Sequence, residues 1–293
     1  MAIRFDLQSH STNSDGALSA TEVVQRAADA GVELLALSDH DTISGVSEAI
    51  EAGREAGVRI VPAVEISAVD EGSPVPRELH ILGYEIDHTG PVLTRRLAEF
   101  LADREQRTLR MARALSELGF ELDEAQLRSR VAAGKPIGRP HLAEAVLSAP
   151  ANASRLQAEE IDDIGSLIRG YLIEGKPAFR LRETPTVAQA IEAIHEAGGV
   201  AIWAHPFWDI SDPGEVLSSI DRFRELGIDG VEVFYVSHTQ EQTELLASRC
   251  AELGLLTTGS ADYHGPDNRL FSRFLAFETY GIEPDLGPIG SER

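Results

Sequence analysis

Histidine and carboxylate residues recur at the ends of the short apolar stretches of this 293-residue chain. The series begins with Gln8 and His10 after the first apolar stretch, and it closes with Asp262 and His264. Its inner members are His40, Glu65, His80 and His205. A parallel barrel places the C-terminal ends of its strands on one rim, so these side chains are predicted to meet there. The pattern favours a barrel that binds metal at its rim.

The hydrophobic pattern predicts seven strands that alternate with amphipathic helices. The strands are predicted at residues 3–8, 33–38, 59–65, 78–86, 199–204, 230–234 and 255–259. Helices are predicted at residues 19–30, 44–56, 187–197, 213–226 and 239–253. This βα rhythm favours an α/β fold built as a parallel barrel over a β-sandwich.

The middle of the chain interrupts this rhythm. Residues 91–180 show helical patterns and no convincing strand, which predicts an all-helical insertion domain between two parts of the barrel at 1–90 and 181–280. Insertions of this kind usually lie over the active rim and contribute to substrate choice. Residues 281–293 are rich in glycine and proline, and we expect them to form a loosely held tail.

The charge balance and the cysteine count limit the possible partners. The formal net charge is −22, from 48 acidic and 26 basic residues, which argues against duplex nucleic acid but leaves small anionic substrates open. Cys250 is the single cysteine, so neither an internal disulfide nor a thiolate metal cluster can form. With no apolar run of membrane-spanning length and no signal-peptide core, we expect a cytoplasmic protein without a membrane partner.

The candidate metal ligands combine imidazole and carboxylate groups without thiolate. Asp15, in the loop after the first strand, can join the series at the strand ends. Such a set suits Mn²⁺, Fe²⁺ or Zn²⁺ in a hydrolytic site. Taken singly, each residue has a simpler interpretation: a histidine at a strand end is usually structural, Asp41 suits a helix N-cap, and Asp39 suits a turn or orients an imidazole. The whole series on one rim indicates a metal site.

A set of short motifs follows this series along the chain. They are Asp-Leu-Gln-Ser-His-Ser at 6–11, Ser-Asp-Gly at 14–16, Asp-His-Asp-Thr at 39–42, Pro-Ala-Val-Glu-Ile-Ser at 62–67, Leu-His-Ile-Leu-Gly-Tyr at 79–84, Gly-Arg-Pro-His at 138–141, Ala-His-Pro at 204–206 and Asp-Tyr-His-Gly at 262–265. Their order and wording resemble the polymerase and histidinol phosphatase (PHP) superfamily of metal-dependent phosphoesterases. The resemblance spans almost the whole chain and is closest to the bacterial branch with a helical insertion, which acts on nucleoside 3′,5′-bisphosphates and short RNA.

The resemblance implies a distorted seven-stranded (β/α)7 barrel with three metal ions at its rim. One metal ion would be held by residues 8 and 10 together with Glu65 and Asp262. A second would share Glu65 and add His80 and His205. The third would be held by Asp15, His40 and His264.

The chain departs from the family pattern at the first of these metal ions. The family has histidine at both positions of its first motif, whereas this chain has Gln8. A neutral amide oxygen is a weaker ligand for Mn²⁺ or Zn²⁺ than imidazole is. The sequence Gly259-Ser260-Ala261-Asp262 is also one residue longer than the family's usual Gly-Ser-Asp, and it affects the same metal ion. Weaker binding or loss of this ion, or its replacement by a harder one, is therefore expected.

Two or three cations at such a rim would activate a bridging water for in-line attack on phosphorus, without a serine or cysteine nucleophile. Arg139 in the insertion is a candidate to bind a second phosphate, as are His238 after the sixth strand and Lys176 in a loop. Each of them also suits a solvated surface position. Trp203 and Trp208 flank His205, and packing is the simpler role for both, although Trp208 could stack on a base.

The resulting expectation is a phosphoesterase that removes the 3′-phosphate of a nucleoside 3′,5′-bisphosphate. Three alternatives use the same rim: a phosphatase or cyclic phosphodiesterase acting on another small substrate such as histidinol phosphate, a 5′-3′ exoribonuclease acting on short RNA, and a catalytically impaired metal-binding scaffold that has lost a ligand at Gln8. The sequence leaves the metal identity and the oligomeric state open.

Overall fold

The computed structural model of the protein describes residues 4–73, 76–133, 137–181 and 183–291. The chain divides into two compact units. The barrel unit comprises residues 1–97 and 185–293, and the helical unit comprises residues 98–184. In the described part of the chain, no helix combines the length and the apolar character that crossing a membrane requires.

Seven strands form one sheet in the described part of the barrel unit, and their order in the sheet follows their order in the chain. They are β1 (Phe5–Asp6), β2 (Leu34–Leu37), β3 (Arg59–Asp70), β4 (Arg77–Tyr84), β5 (Val200–Trp203), β6 (Gly230–Tyr235) and β7 (Leu256–Ser260). A bridge between Ser9 and Tyr263 joins the ends of β1 and β7. The sheet is therefore a nearly closed barrel, which confirms the predicted seven-stranded fold; Ile3, predicted to open the first strand, lies outside the described residues.

One strand runs against the parallel arrangement predicted from the sequence. β4 pairs antiparallel with both β3 and β5. Only residues 71–76 separate β3 from β4, and a connection this short joins antiparallel strands, because a parallel pair needs a crossover of a dozen or more residues. His80 therefore lies inside β4 and not at its C-terminal end. It reaches the rim because it pairs with Ser67, two residues beyond Glu65 on β3.

Eleven α-helices are present among the described residues. They are α1 (Ala20–Asp29), α2 (Val46–Ala56), α3 (Pro91–Glu117), α4 (Glu124–Ala132), α5 (Arg139–Leu147), α6 (Ala153–Ala158), α7 (Ile164–Leu167), α8 (Val187–Glu196), α9 (Pro206–Asp209), α10 (Pro213–Glu225) and α11 (Gln240–Leu253). Capping boxes start three helices of the barrel unit, at Ser19, Thr186 and Thr239. In each, the side chain accepts a hydrogen bond from the third helical N–H, which has no partner within the helix.

The barrel core follows from the alternation of side chains along each strand. Leu34 and Ala36 of β2 point into the barrel, where they pack with Leu82 and Ile202. Leu35, between them, belongs to a second cluster that includes residues of α1 and α2. Successive side chains of a strand point to opposite faces of the sheet. Because both faces of β2 are buried, its residues form an uninterrupted apolar run.

The helical unit has a hydrophobic core of its own. Met111 and Leu115 of α3 pack with Leu142 and Val146 of α5 and with Leu167 of α7. At its surface the Arg155 guanidinium lies 3.8 Å from the centre of the Phe120 ring, a cation–π contact.

The segment after Gly281 differs from the loose tail expected from its composition. Ile289 is fully buried in the barrel core, and Leu286 packs against the same cluster. The Arg59 guanidinium donates a hydrogen bond of 2.6 Å to the carbonyl of Ile289. An apolar side chain that covers one end of the core holds this segment in place, whatever its glycine and proline content.

Candidate metal centre

Every residue of the predicted ligand series belongs to the barrel unit, and the structure brings the series together at one rim. His10 and Asp15 follow β1, His40 follows β2, and Asp262 and His264 follow β7. The imidazoles and carboxylates form three overlapping groups whose ligand atoms lie within 4.8 Å of one another. The groups are His10, Asp15, His40 and His264; His40, Glu65 and His80; and His10, Glu65 and Asp262.

The fully buried carboxylate of Glu65 lies at the centre of the rim. Its Oε2 atom is 3.1 Å from Nε2 of His10 and 3.6 Å from Nδ1 of His40. Its Oε1 atom is 2.5 Å from Nδ1 of His80 and 3.4 Å from Nε2 of His205. Each oxygen thus faces two imidazoles, an arrangement in which one carboxylate can bridge two cations.

His205 faces the same oxygen of Glu65 as His80 does. Its Nε2 atom faces Glu65, while its Nδ1 atom is 3.7 Å from Asp209. The ligand group that contains His80 takes His40 as its second imidazole. His205 follows β5 and lies at the edge of the rim next to that strand.

Three residues of the rim have left-handed backbone conformations. Asp41, His205 and Asp262 have φ angles of 53°, 31° and 54°. This region costs a non-glycine residue about 1–3 kcal/mol, and such strain persists where the surrounding structure imposes it. Each lies two to four residues after the end of a strand, so the chain turns close to the candidate ligands.

Buried polar atoms support metal binding by these residues. In the described part of the chain, Nδ1 and Nε2 of His10, Nδ1 of His40, Nδ1 of His80 and Oδ1 of Asp262 are buried without a hydrogen bond. A buried polar atom without such a partner carries a desolvation cost. Nitrogen and oxygen ligands at this density suit a divalent transition metal, and coordination would satisfy these atoms.

Burial and the close contact of imidazoles with carboxylates also shift the pKa values of several rim residues. Burial lowers the pKa of His10, but the carboxylates of Asp262 and Glu65 outweigh burial and hold this pKa well above its usual value. Burial would raise the pKa of Glu65, yet the surrounding imidazoles, with His40 and His80 foremost, hold it well below its usual value. Burial lowers the pKa of His40 to about 3. A cation at this rim would replace the proton of His10, so metal affinity should increase as the pH rises.

Gln8 contacts the rim through its amide group. Its Nε2 atom donates a hydrogen bond of 2.8 Å to Oε2 of Glu65. Its Oε1 atom lies 3.3 Å from the hydroxyl of Ser260, which is 2.7 Å from Oε1 of Glu232. The amide nitrogen, and not the oxygen, therefore faces the other ligand residues.

Two supporting residues were not identified from the sequence. Glu232 is fully buried, and its Oε2 atom accepts a 2.9 Å hydrogen bond from the backbone N–H of His205. The Tyr235 hydroxyl donates a 2.8 Å hydrogen bond to Oδ2 of Asp262. A carboxylate between Val231 and Val233 in an apolar strand is an available sequence signal for Glu232; Tyr235 offers none, because tyrosine is common in strands.

The candidate phosphate-binding residues lie in both units. His238 follows β6 in the barrel unit, and its Nδ1 atom is 3.0 Å from the carbonyl of Val233. Burial lowers the pKa of His238 to about 4. Arg139 is the first residue of α5, and Lys176 is exposed in a turn; both belong to the helical unit.

The two tryptophans have different environments. Trp203 is fully buried on β5, whereas the Trp208 side chain on α9 is 51% exposed. Trp203 is therefore packed in the interior, whereas about half of Trp208 is open to solvent.

Comparisons with known proteins place the site in a family context. The model of the PHP domain matches residues 6–148. The chain is 36% identical to a 5′-3′ exoribonuclease of Haemophilus influenzae, over 91% of this chain and 92% of the relative. It is 32% identical to a phosphoribosyl 1,2-cyclic phosphate 1,2-diphosphodiesterase of Eggerthella lenta, over 90% and 95% of the two chains. It is also 32% identical to a 3′,5′-nucleoside bisphosphate phosphatase of Chromobacterium violaceum, over 89% and 87%.

A solved structure supports the same relationship. An amidohydrolase from Chromobacterium violaceum, determined with bound sulfate and without metal, superimposes with a TM-score of 0.78 at 29% sequence identity. The match covers 98% of this chain and 93% of that structure. The barrel with its helical unit is thus similar to that structure along nearly its full length.

Proposed function

Because the chain belongs to the PHP family of metal-dependent phosphoesterases, we propose that it removes the 3′-phosphate of a nucleoside 3′,5′-bisphosphate. The family assigns a hydrolase that acts on phosphate esters. The bisphosphate is our proposal. It is supported by the relative of that activity, which matches 89% of this chain, and by the central position of Glu65 between two sets of imidazoles.

The proposed ligands are Gln8, His10, Asp15, His40, Glu65, His80, His205, Asp262 and His264, and they would hold two or three ions of Mn²⁺, Fe²⁺ or Zn²⁺. Divalent cations at such a site lower the pKa of a bound water and neutralise charge on the phosphoryl oxygens. The residues of this chain would hold and orient these ions. Tyr235 fixes the carboxylate of Asp262 through one oxygen, which leaves Oδ1 facing His10 at 3.1 Å.

Hydrogen bonds around the rim also hold the loop after β1 in place. Asp39 accepts hydrogen bonds from the backbone N–H of Ser11 at 2.7 Å and from the hydroxyl of Ser14 at 2.6 Å. These bonds tie the loop after β1 to the end of β2, so they hold the loop that carries His10 and Asp15. Asp39 thus holds this loop through Ser11 and Ser14, a contact different from the imidazole suggested by the sequence.

The second phosphate of the substrate needs cationic or hydrogen-bonding groups. Arg139 offers a planar guanidinium that can bind a phosphate through two hydrogen bonds. Lys176 and His238 are further candidates, although His238 is buried and its pKa is lowered to about 4, so it would act as a neutral hydrogen-bonding group.

A second candidate function is 5′-3′ trimming of short RNA. The relative with this activity is 36% identical to the chain. The net charge of −22 disfavours long RNA, but an oligonucleotide held by its end presents few phosphates to the surface. Cyclic phosphodiester cleavage, the activity of the Eggerthella lenta relative, and hydrolysis of histidinol phosphate are further alternatives.

Phosphate release tests the proposal directly. The protein is incubated with Mn²⁺ and, separately, with adenosine 3′,5′-bisphosphate, histidinol phosphate, a phosphoribosyl cyclic phosphate or a 5′-phosphorylated oligonucleotide. We expect the bisphosphate to be the preferred substrate and AMP to be the product. The Glu65→Gln variant is the matched control: it keeps the size of the central side chain but loses the charge that can bridge two cations, and it should be at least about a thousandfold slower.

Turnover of another member of the panel in preference to the bisphosphate would replace the proposed substrate. Metal binding without release of phosphate from any member of the panel would instead support a catalytically impaired scaffold, with Gln8 as the first residue to change.

A further inference from the structure

An aromatic cluster adjoins the metal centre, and the proposed chemistry uses only Tyr235 among its members. We define the aromatic wall as Trp208, Tyr235 and Phe271. The rings of Trp208 and Phe271 have centroids 5.5 Å apart, and each ring is 6.3 Å from the ring of Tyr235. The three residues come from α9, the end of β6 and the loop after β7, so the fold and not the local sequence assembles the wall.

Each residue of the wall is attached to a candidate ligand. The backbone N–H of Trp208 donates a 2.8 Å hydrogen bond to the carbonyl of His205. The N–H of His264 donates a 2.9 Å hydrogen bond to the carbonyl of Phe271, whose ring lies 5.3 Å from the His264 ring. The Tyr235 hydroxyl binds Asp262. The wall is therefore continuous with the metal centre and fixed relative to it.

The exposure of the wall to solvent increases from Tyr235 to Trp208. Tyr235 is buried, Phe271 is half-buried, and the Trp208 side chain is 51% exposed. His205, in a left-handed conformation, is the N-cap of α9, so Trp208 lies in the helix that directly follows a candidate ligand. An indole held by a second ring at the edge of a phosphoesterase site offers a flat surface for a ligand that carries its own π system.

The substrate proposed above carries a phosphate that suits the metal centre and a flat base that suits the aromatic wall. Two ring contacts lead from His264 at the metal centre to Trp208. In a nucleotide, one ribose unit likewise separates the phosphate from the base. Stacking of bases on aromatic side chains tolerates every base, because each base has a π face.

We propose that Trp208, supported by Phe271, forms the stacking surface for the base of the substrate while the phosphate lies at the metal centre. This inference rests on the proposed function, since it assigns the nucleoside part of the same substrate. The enzyme should then favour phosphoesters that carry a base over those that do not, with little preference among the four bases.

Tryptophan fluorescence of the metal-loaded protein gives a direct test. Of the two tryptophans in the chain, Trp203 is fully buried and Trp208 is 51% exposed. AMP should quench a component of the emission in a saturable manner, whereas ribose 5-phosphate at the same concentration should not. The Trp208→Phe variant retains only Trp203, and it should show no saturable response to AMP. Equal responses to AMP and ribose 5-phosphate would overturn the stacking surface.

Kinetics separate stacking from a structural role. Trp208→Ala should raise KM for adenosine 3′,5′-bisphosphate roughly five- to a hundredfold, the range expected when base stacking is lost, while kcat stays within about twofold. Trp208→Phe should restore most of the binding. For ribose 3,5-bisphosphate, which lacks a base, the wild type and Trp208→Ala should have the same KM.

The outcomes also distinguish this inference from the proposed function. If the wild type binds AMP through Trp208 but hydrolyses a different phosphoester, the substrate assignment fails and the stacking surface stands. If the wild type hydrolyses the bisphosphate and Trp208→Ala leaves its KM unchanged, the stacking surface fails and the substrate assignment stands.

Discussion

Gln8 illustrates how one hydrogen bond can decide the role of a residue. Its Nε2 atom lies 2.8 Å from Oε2 of Glu65. Turning the amide over would place two oxygen acceptors at that distance in a buried site, which is unfavourable without a cation between them. In the conformation observed here, Gln8 therefore positions Glu65 and does not offer its oxygen to a metal. It can become a ligand only by breaking this hydrogen bond.

Replacing Gln8 by histidine should increase the metal content of the protein. An imidazole at this position adds a stronger ligand beside His10, Glu65 and Asp262, so the metal ion at this position should bind roughly tenfold tighter or more. The measurement is the number of metal equivalents that remain after dialysis, determined by elemental analysis. Gln8→Leu is the control: it also removes the hydrogen bond to Glu65 but adds no ligand, so its metal content should not rise. An unchanged metal content in Gln8→His would contradict this role for Gln8.

Glu232 introduces a pH dependence into the stability of the barrel. Burial raises the pKa of Glu232 from 4.5 to about 8, so the folded protein disfavours the ionised carboxylate. The stabilisation associated with this residue is fully present below pH 4.5 and is lost as the pH rises toward 8. Both carboxylate oxygens are engaged, one with Ser260 and one with the N–H of His205.

The Glu232→Gln variant should remove this dependence. A glutamine can donate to the Ser260 hydroxyl and still accept from the N–H of His205, so it keeps both contacts without a charge. In chelator-treated protein, its free energy of unfolding relative to the wild type should increase between pH 4.5 and 8, by an amount on the order of a few kcal/mol. Urea unfolding at several pH values measures this difference. A constant difference across the range would show that Glu232 does not titrate there.

At the scale of elements, the strands and the residues that follow them place the candidate ligands at the rim. β1 is only two residues long, yet its continuation carries Gln8 and His10 to the rim, where the Ser9–Tyr263 bridge fixes it against the end of β7. β4 contributes His80 from within the strand, since it runs antiparallel to its neighbours. Parallel strand ends and one antiparallel strand thus deliver ligands to the same place.

Helix α11 gives a chemical reporter of the barrel unit. Cys250 lies on its inner face, fully buried, and burial raises the pKa of this thiol to about 12. Because the thiolate is the reactive form, labelling of the native protein by Ellman's reagent at pH 8 should be on the order of a thousandfold slower than labelling in denaturant. The rate with stepwise addition of urea reports the opening of α11, and Cys250→Ser is the blank. Rapid labelling of the native protein would contradict the burial of this helix face.

At the scale of the whole molecule, the protein combines a strongly acidic composition with a rim rich in imidazoles. Five histidines of the rim lie around Glu65 and Asp262, which are both buried. Bound cations would invert the local field, so an anionic substrate can approach a protein with a net charge of −22. Electrostatic attraction is therefore a property of the metal-loaded rim and not of the surface as a whole.

Several features of the fold were accessible from the sequence. The seven strands and the helices between them follow from alternating hydrophobic patterns, and capping residues such as Ser19 and Thr239 mark where helices begin. The predicted direction of β4 was wrong because a strand has the same hydrophobic pattern in either direction. The short connection before β4 decides that it runs antiparallel to β3. The packing of Ile289 was not predicted, because a high content of glycine and proline indicates a loose segment only where no apolar side chain of that segment is buried. Ile289 is buried in the barrel core.

The sequence by itself determined the ligand chemistry: which imidazoles and carboxylates lie in or next to apolar strands, and that glutamine occupies position 8. These facts are local, because each concerns residues that are neighbours in the chain. Only the tertiary structure decided that the Gln8 nitrogen faces Glu65, that Glu232 binds the N–H of His205, and that Trp208 meets Phe271. These pairs are separated by 27 to 63 residues in the chain. Contacts of this range depend on how the strands close into a barrel, and no local pattern encodes that closure.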